Sequence, residues 1–321
     1  RQMQHWRGVF AIVTTPFDEH LKVDFEGLRA TVRFCIAAGV GGVVSTANAS
    51  EVGYLNDAER RRVAEVVAEE AAGKAVAIVG ISCSCWPIAA ELARHAEASG
   101  ADGLMAMPPT MHRPVADETC RFYGEIAAAS SLPIMVQNYA GPGGTVLSVP
   151  LLARLVREIG SIRYIKEETE FSGPMISEIR TLQAPNLLGV MGGRAGIRMI
   201  DEHRRGACGT MPACEVADVH VAVWSALERG DIATAKELHR RLLPLLSLEA
   251  SYGAVVYKQV LARRGIIGNA AVRQTGGRIL DSEALAELDE MLADLDSLML
   301  EAYRPARPRQ DPKLARAAFV R

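Results

Sequence analysis

Short apolar runs alternate with longer helical stretches eight times in the first two thirds of the chain. The apolar runs start roughly 20 to 35 residues apart, which leaves room for one strand and one crossover helix in each repeat. Because such a repeat is typical of parallel strands packed against their connecting helices, we predict an α/β fold, a (β/α)₈ TIM barrel. The predicted strands are Val9–Thr15, Val40–Asn48, Ala75–Ser82, Gly103–Met107, Pro133–Gln137, Ile162–Glu167, Leu187–Gly192 and Ala207–Met211.

The strand pattern ends near Pro212, and the chain beyond it has helical periodicity as far as about Tyr303. We therefore predict a barrel over residues 1–212, a helical C-terminal extension packed on the barrel over 213–305, and a tail over 306–321. A doubly wound open sheet is the alternative fold, although no G-x-G-x-x-G motif follows the first strand. The helices predicted in the extension are Val216–Arg229, Ile232–Leu246, Tyr252–Arg264 and Ser282–Ala302.

Composition and charge argue against several classes of partner. The formal net charge is −2, and no basic stripe interleaves with aromatic residues, so nucleic acid is not an expected partner. No apolar stretch reaches the about 18 residues of a membrane helix, and no signal-peptide core is found, so we expect a cytoplasmic protein. The six cysteines form no C-x-x-C pair, which predicts reduced, buried thiols rather than disulfides or zinc ligands. We predict neither a metal nor a cofactor.

Lys166 is the residue in which we expect the chemistry to reside. The chain has only six lysines, and Lys166 alone among them interrupts a predicted apolar strand. Burial disfavours a charged ammonium, and the resulting free amine can attack a ketone, which an arginine cannot do. Its place near the C-terminal end of the sixth strand is where barrel enzymes carry their catalytic groups. The alternative is a structural ion pair with Glu167 or Glu168.

The stretch Tyr164-Ile165-Lys166-Glu167 resembles the Schiff-base strand of the dihydrodipicolinate synthase / N-acetylneuraminate lyase superfamily, the class I pyruvate-type lyases. The resemblance extends from about residue 8 to about residue 300. It implies a barrel with C-terminal helices, an imine on Lys166 and a homotetramer or homodimer. Four further segments carry it: Gly8–Phe17, Ala47–Glu51, Pro108–Pro109 and Gly206–Met211.

The resemblance also implies a set of substrate-binding residues. The family binds the substrate carboxylate on backbone N–H groups after strand two, and these positions correspond to Asn48, Ala49 and Ser50. Successive N–H groups in a tight turn make an anion-binding nest, so the local chemistry fits, although an ordinary polar turn is the alternative. Met211 corresponds to the apolar residue near the imine, and Gly193, with the glycine before it, corresponds to the floor of the site.

Several positions depart from the family pattern. The usual catalytic tyrosine at the end of strand five is replaced by Gln137, and Tyr139 two residues on is a second catalytic candidate. The threonine that relays protons is either replaced by Asn48 or lost. The second relay tyrosine aligns near Thr110, and the arginine that grips a second carboxylate aligns near Pro142. The departures therefore argue against a role in lysine biosynthesis.

One subgroup of that family, the 2-keto-3-deoxy-L-arabonate dehydratases, is similar to this chain at Met105–Pro109, Pro133–Gln137 and Leu152–Ile159. We therefore predict a Schiff-base lyase in which Lys166 condenses with the C2 ketone of a 2-keto-3-deoxy sugar acid, and the C4 hydroxyl leaves as water. The first alternative is a class I aldolase that releases pyruvate and an aldehyde. Further alternatives are a dihydrodipicolinate synthase-like protein and a non-catalytic keto-acid sensor.

The general acid/base is left open by the sequence. Gln137 has no useful acidity and can only orient a hydroxyl or a water molecule. The candidates are a bound water, Glu168, Tyr139 and the substrate's own carboxylate. His112 and Arg194 follow predicted strands and could contact distal substrate groups, with a surface role as the alternative for both.

Overall fold

The computed structural model describes residues 5–274 and 279–305. Eight parallel strands close into a barrel in chain order, so the predicted (β/α)₈ fold is confirmed and the open-sheet alternative is wrong. The strands are β1 Gly8–Ile12, β2 Gly42–Ser45, β3 Val76–Gly80, β4 Gly103–Ala106, β5 Ile134–Tyr139, β6 Ile162–Glu168, β7 Gly189–Gly192 and β8 Gly209–Thr210.

Helices surround the barrel and continue into the extension. Asn56 begins α2 with a capping box: its side chain accepts from the Glu59 N–H at 2.9 Å, and the Glu59 carboxylate accepts from the Asn56 N–H at 3.1 Å. This cap fixes the end of the β2–α2 loop. The helices are α1 Phe25–Ala37, α2 Asp57–Ala71, α3 Trp86–Ala98, α4 Ala116–Ala129, α5 Val149–Glu158, α6 Ser172–Arg180, α7 Met199–Arg204, α8 Ala217–Glu228, α9 Ile232–Tyr252, α10 Ala254–Arg263 and α11 Ser282–Leu295.

The eighth strand is only two residues long, which corrects the predicted Ala207–Met211. Gly209 and Thr210 pair with both β1 and β7 and close the barrel. Pro212 follows almost at once and has no N–H group to donate to the ladder, and beyond it an isolated parallel bridge joins Ala213 to Ile12.

The barrel interior is packed below the site. Met105, Met135 and Met191 fill it together with other apolar side chains from the strands. Trp6 closes the N-terminal end: its ring stacks on Tyr164 with centroids 4.3 Å apart, and its backbone N–H donates to the Tyr164 hydroxyl at 2.9 Å. This plug leaves the C-terminal ends of the strands as the open mouth of the barrel.

The extension packs directly on the barrel. Trp224 of α8 lies in the same apolar cluster as Val9 of β1, whereas Val219 of α8 packs with Leu242 of α9 and Val256 of α10. By these contacts α8 belongs to the ring of helices and also joins the extension to it. The division of the chain at residue 212 stays a proposal, and the predicted tail over 306–321 lies outside the described residues.

A second lysine, Lys258 of α10, is fully buried. It forms an ion pair with Glu51, donates to the Ala271 carbonyl oxygen at 2.8 Å, and lies 3.8 Å from the centre of the Phe17 ring. Burial lowers the pKa of Lys258 to about 8, although the charge of Glu51 opposes that shift. Two lysines are therefore buried, although sequence analysis gave a role only to Lys166, and burial alone does not distinguish Lys166 from Lys258.

Three other observations bear on the excluded classes. In the described part of the chain no helix is both long and apolar enough to cross a membrane. The same residues hold no group of three or more histidine, cysteine or acidic side chains placed to bind a metal ion. All six cysteines are free thiols; those buried as predicted are Cys35, Cys83 and Cys214, and those only half-buried are Cys85, Cys120 and Cys208.

Candidate active site

Strands β5 and β6 pair in parallel with one irregularity near their start. Ile134 lies opposite Ile162, but the next residue of β5, Met135, lies opposite Tyr164. Arg163 is therefore an extra residue that makes a β-bulge in β6. A shift of one residue reverses the side to which every following side chain points.

Beyond the bulge, the register places the predicted catalytic residues at the mouth of the barrel. Gln137 lies opposite Lys166, and Tyr139 lies opposite Glu168. Since side chains alternate along a strand, Lys166 and Glu168 point into the barrel together, and Glu167 points to the surrounding helices.

Lys166, Glu168 and Gln137 form one hydrogen-bonded cluster. The Lys166 Nζ lies 3.0 Å from the Glu168 Oε1, and the two side chains are 2% and 8% exposed. The Gln137 Nε2 donates to the other oxygen, Oε2 of Glu168, at 2.7 Å. The carboxylate is thus held between the amine and the amide, where it can take a proton from one and is oriented by the other. Of the ion pairs considered from the sequence, the one with Glu168 forms.

The turn after β7 completes the surroundings of Glu168. The backbone N–H of Arg194 donates to the Glu168 Oε1 at 3.2 Å. A Cβ atom built on Gly193 would collide with the side chain of Glu168, so the lack of a side chain at Gly193 is what allows this approach. Gly193 therefore lies directly against Glu168, and its part in substrate binding stays a prediction.

Glu167 lies on the outer face of the same strand. Its carboxylate accepts from the Asn138 amide at 2.7 Å and from the Thr169 N–H at 2.8 Å. Burial raises the pKa of Glu167, and these hydrogen bonds only partly oppose it. These hydrogen bonds hold the end of β6 on the outer side of the barrel, and they do not link Glu167 to the residues at the mouth.

The predicted carboxylate-binding residues form a single 3₁₀ turn after β2, Asn48–Ser50. The Ser50 N–H donates to the Ala47 carbonyl at 3.0 Å, whereas the Asn48 and Ala49 N–H groups come before the hydrogen-bonded part of the turn. The Ser50 hydroxyl is buried and has no hydrogen-bond partner among the described atoms. Thr15 anchors the turn by donating to the Ser50 carbonyl at 2.7 Å. This geometry can accept an anion on the first N–H groups.

The remaining predicted residues are placed less centrally. Met211 is buried in the barrel's inner apolar cluster, as expected for a residue packed below the reacting atoms. Tyr139 is half-buried, and its hydroxyl lies against Gly141 in the following loop, not in the Lys166 cluster. Burial and the charge of Glu168 raise the pKa of Tyr139. Its catalytic role stays a prediction.

Two residues that sequence reasoning offered for distal contacts lie at the surface. The His112 ring forms an exposed 2.7 Å pair with Glu118. The side chain of Arg194 is exposed, and what this residue brings to the site is its backbone N–H, which no sequence pattern predicts. Glu168, which sequence analysis named among several acid/base candidates, stands two residues after Lys166 and shares its face of the strand.

The chain is similar in sequence and in structure to proteins of one known family. A sequence model of the dihydrodipicolinate synthetase family matches residues 5–293. The L-2-keto-3-deoxyarabonate dehydratase of Azospirillum brasilense is 31% identical over 299 residues, which cover 92% of this chain and 96% of that protein. The 4-hydroxy-tetrahydrodipicolinate synthase of Methanopyrus kandleri is 31% identical over 74% of this chain and 79% of its own length. The crystal structure of dihydrodipicolinate synthase from Rhodopseudomonas palustris superposes with a TM-score of 0.83 at 27% identity, covering 90% of this chain and 97% of that one.

Proposed function

This chain belongs to the dihydrodipicolinate synthetase family, and we propose that it dehydrates a 2-keto-3-deoxy sugar acid through an imine on Lys166. The family resemblance read from the sequence and the prediction of a Schiff-base lyase are thereby confirmed. The observation that carries the narrower proposal is the Glu168 carboxylate, which lies between the Lys166 amine and the Gln137 amide. A relative named as a dehydratase, matched over nearly its whole length, supports the same choice.

In the proposed mechanism Glu168 first takes the ammonium proton of Lys166 across their 3.0 Å contact. The free amine adds to the C2 ketone of the substrate, and the proton held by Glu168 passes to the departing hydroxyl, so that loss of water gives a protonated imine. The imine acidifies C3–H, and Glu168, again a carboxylate, takes that proton to give an enamine. The enamine expels the C4 hydroxyl, which leaves as water with the proton that Glu168 took from C3. Hydrolysis of the resulting protonated, unsaturated imine releases the dehydrated keto acid and restores Lys166 in its ammonium form.

The replacement of tyrosine by Gln137 favours dehydration over carbon–carbon cleavage. Retro-aldol cleavage needs a base for the C4 hydroxyl proton, and an amide has no suitable acid–base chemistry. Dehydration requires instead that the C4 oxygen receive a proton. Gln137 supports this requirement indirectly, since its amide holds the Glu168 carboxylate at 2.7 Å.

The proposal assigns the substrate carboxylate to the turn Asn48–Ser50, with Met211 and Gly193 shaping the pocket around the imine. The buried Ser50 hydroxyl without a partner supports this assignment, since an anion there would satisfy it. A synthase-like activity is the less favoured alternative, because the arginine with which the synthases grip a second carboxylate aligns near Pro142. Family resemblance also leads us to propose a homotetramer or homodimer, which light scattering on the purified protein would test.

The decisive experiment joins borohydride trapping to product analysis. Sodium borohydride with pyruvate should add the mass of the reduced adduct to the peptide that contains Lys166. The variant Lys166→Arg should take up none, and Lys236→Arg, which changes an exposed lysine of α9, should match the wild type. With 2-keto-3-deoxy-L-arabonate as substrate, the expected product is a semialdehyde.

Other results of this experiment would support a different function. Pyruvate and an aldehyde as products would identify an aldolase and refute dehydration. Stabilisation by keto acids without turnover would identify a sensor. If pyruvate and the keto-deoxy acid both left every lysine of the folded protein unmodified, the Schiff-base mechanism would be wrong.

A further inference from the structure

We infer that two buried histidines, His220 of α8 and His239 of α9, are positioning residues for the acid/base Glu168. They hold the turn after β7 in a conformation that directs the N–H of Arg194 at the Glu168 carboxylate. The inference rests on the proposed function, because it takes Glu168 to be the group that moves protons. It gives the C-terminal extension a part in the chemistry of the barrel.

The turn has an unusual backbone. Arg194, Ala195 and Gly196 have φ values of 48°, 57° and 77°, three successive residues in the left-handed region. Residues other than glycine seldom adopt that conformation, and they keep it only where the surrounding structure fixes it. Within the turn, the Gly196 N–H donates to the Gly193 carbonyl at 3.0 Å, and the Ile197 N–H to the Arg194 carbonyl at 3.2 Å. Two such local bonds leave the other carbonyl groups of the turn to be held from outside.

The conformation matters because of where it places one N–H group. Arg194 donates to the Glu168 Oε1 at 3.2 Å, and this oxygen also lies 3.0 Å from the Lys166 Nζ. Gly193 lies directly against the same side chain. Because β7 and α7 fix the two ends of this turn, its relaxation to right-handed angles would move the Gly193–Arg194 peptide plane, and the carboxylate would lose one of its three donors.

The two histidines supply the outside contacts. The His239 Nε2 donates to the Gly196 carbonyl at 3.0 Å, and the His220 Nε2 donates to the Ala195 carbonyl at 2.9 Å. Both rings are buried. The His220 Nδ1 also lies 3.1 Å from the Val216 carbonyl, so this ring contacts two acceptors. His239 has the simpler contact and makes the cleaner test.

The test compares two substitutions of His239 with a packing control. His239→Leu fills a similar volume without a donor, whereas His239→Gln keeps an N–H donor near the position of Nε2. Leu242→Ala removes buried volume from the same helix and leaves both histidines in place. For each variant, kcat and KM with the keto-deoxy acid are measured, together with borohydride trapping of pyruvate.

We expect His239→Leu to lower kcat by about tenfold, the equivalent of one hydrogen bond, with KM and imine trapping within about twofold of wild type. His239→Gln should recover most of the loss. Leu242→Ala should lower the melting temperature and keep the wild-type kcat at temperatures where it is folded. Should His239→Leu fail to fold, His220→Leu removes the donor to Ala195 from α8 and is expected to behave in the same way.

An unchanged kcat in folded His239→Leu would overturn the inference, and so would a Leu242→Ala variant that loses kcat to the same extent. A His239→Gln variant as slow as His239→Leu would also count against it, because the donor would then not be what matters. Failure of the proposed function has a different signature: the wild-type protein would not be trapped on Lys166 at all.

Discussion

Glu202 of α7 carries a buried carboxyl group whose ionisation should control stability near neutral pH. It is 1% exposed; its Oε1 accepts from the Ser172 hydroxyl at 2.7 Å, and its Oε2 has no hydrogen-bond partner among the described atoms. Burial is the main cause that raises the pKa of Glu202 to about 7; the negative charges of Asp201, Glu167 and Glu168 add to it, and the Ser172 bond opposes it. The perturbation that we consider is Glu202→Gln, which imitates the protonated acid.

The sign and size of the effect follow from linkage. Below pH 4.5, the ordinary pKa of glutamate, the group is protonated in both the folded and the unfolded chain, and its neutral form is fully tolerated. As the pH rises from there to about 7, the unfolded chain ionises first, so the folded state loses stability with each pH unit. At about 1.4 kcal/mol per pH unit, the loss amounts to about 3 kcal/mol and is complete above neutrality. Glu202→Gln removes this dependence.

The free energy of unfolding of wild type and Glu202→Gln should therefore be compared at several pH values from 4.5 to 8, by urea titration followed by circular dichroism. The variant should gain about 3 kcal/mol on the wild type across that range, because other titrating groups cancel in the difference. Glu178→Gln, on the exposed face of α6, controls for the loss of one negative charge. A difference that stays flat between pH 5 and 8, or a variant less stable than wild type at pH 8, would refute the reasoning.

Three further predictions concern single contacts. Gln137→Leu removes the 2.7 Å hydrogen bond to Glu168, a charge-assisted bond of about 1.5–3 kcal/mol, so kcat should fall about 10- to 100-fold. Pyruvate should still be trapped on Lys166, and an unchanged kcat would contradict the role given to the amide. Lys258→Met leaves the carboxylate of Glu51 buried without its cation, so the free energy of unfolding, measured by denaturant titration, should fall by about 3–5 kcal/mol. Adding Glu51→Gln should restore part of this loss, whereas strictly additive losses would show that the pair does not act as a unit. Asn56→Ala removes the capping box of α2 and should lower the free energy of unfolding by about 1 kcal/mol in the same assay. Equal unfolding midpoints for Asn56→Ala and the wild type would rule this effect out.

Local pattern was enough to predict the fold and to select Lys166 as the candidate for the chemistry. The spacing of apolar runs predicts eight strand–helix units because each unit needs a fixed length of chain, and all eight strands form. Lys166 stood out because a charged residue in an apolar strand is costly unless it is paired, and the structure pairs it with Glu168. The same cost could not be recognised for Lys258, since a lysine in an amphipathic helix is ordinarily on the exposed face and its partner Glu51 is distant in sequence.

Backbone features of the site could not be predicted in the same way. The turn after β7 is left-handed at Arg194 and Ala195, two residue types that carry no signal for that conformation. Its cause lies in contacts with His220 and His239, which follow it by more than twenty residues and are held there by the packing of the extension. A pattern confined to one segment carries no information on such partners.

The β-bulge in β6 shows why even the strand carrying the key residue needed the structure. Alternation counted from Ile162, which packs outward against the helices, would direct Lys166 outward as well, since the two are an even number of residues apart. The extra residue Arg163 shifts the register, so that Tyr164 turns inward and Lys166 follows it into the barrel beside Gln137. The sequence thus identifies the lysine, but the direction of its side chain depends on one irregular strand pairing, which cannot be predicted from a pattern of alternating residues. Bulges occur often beside active sites because they re-aim a side chain while the strands around them stay regular.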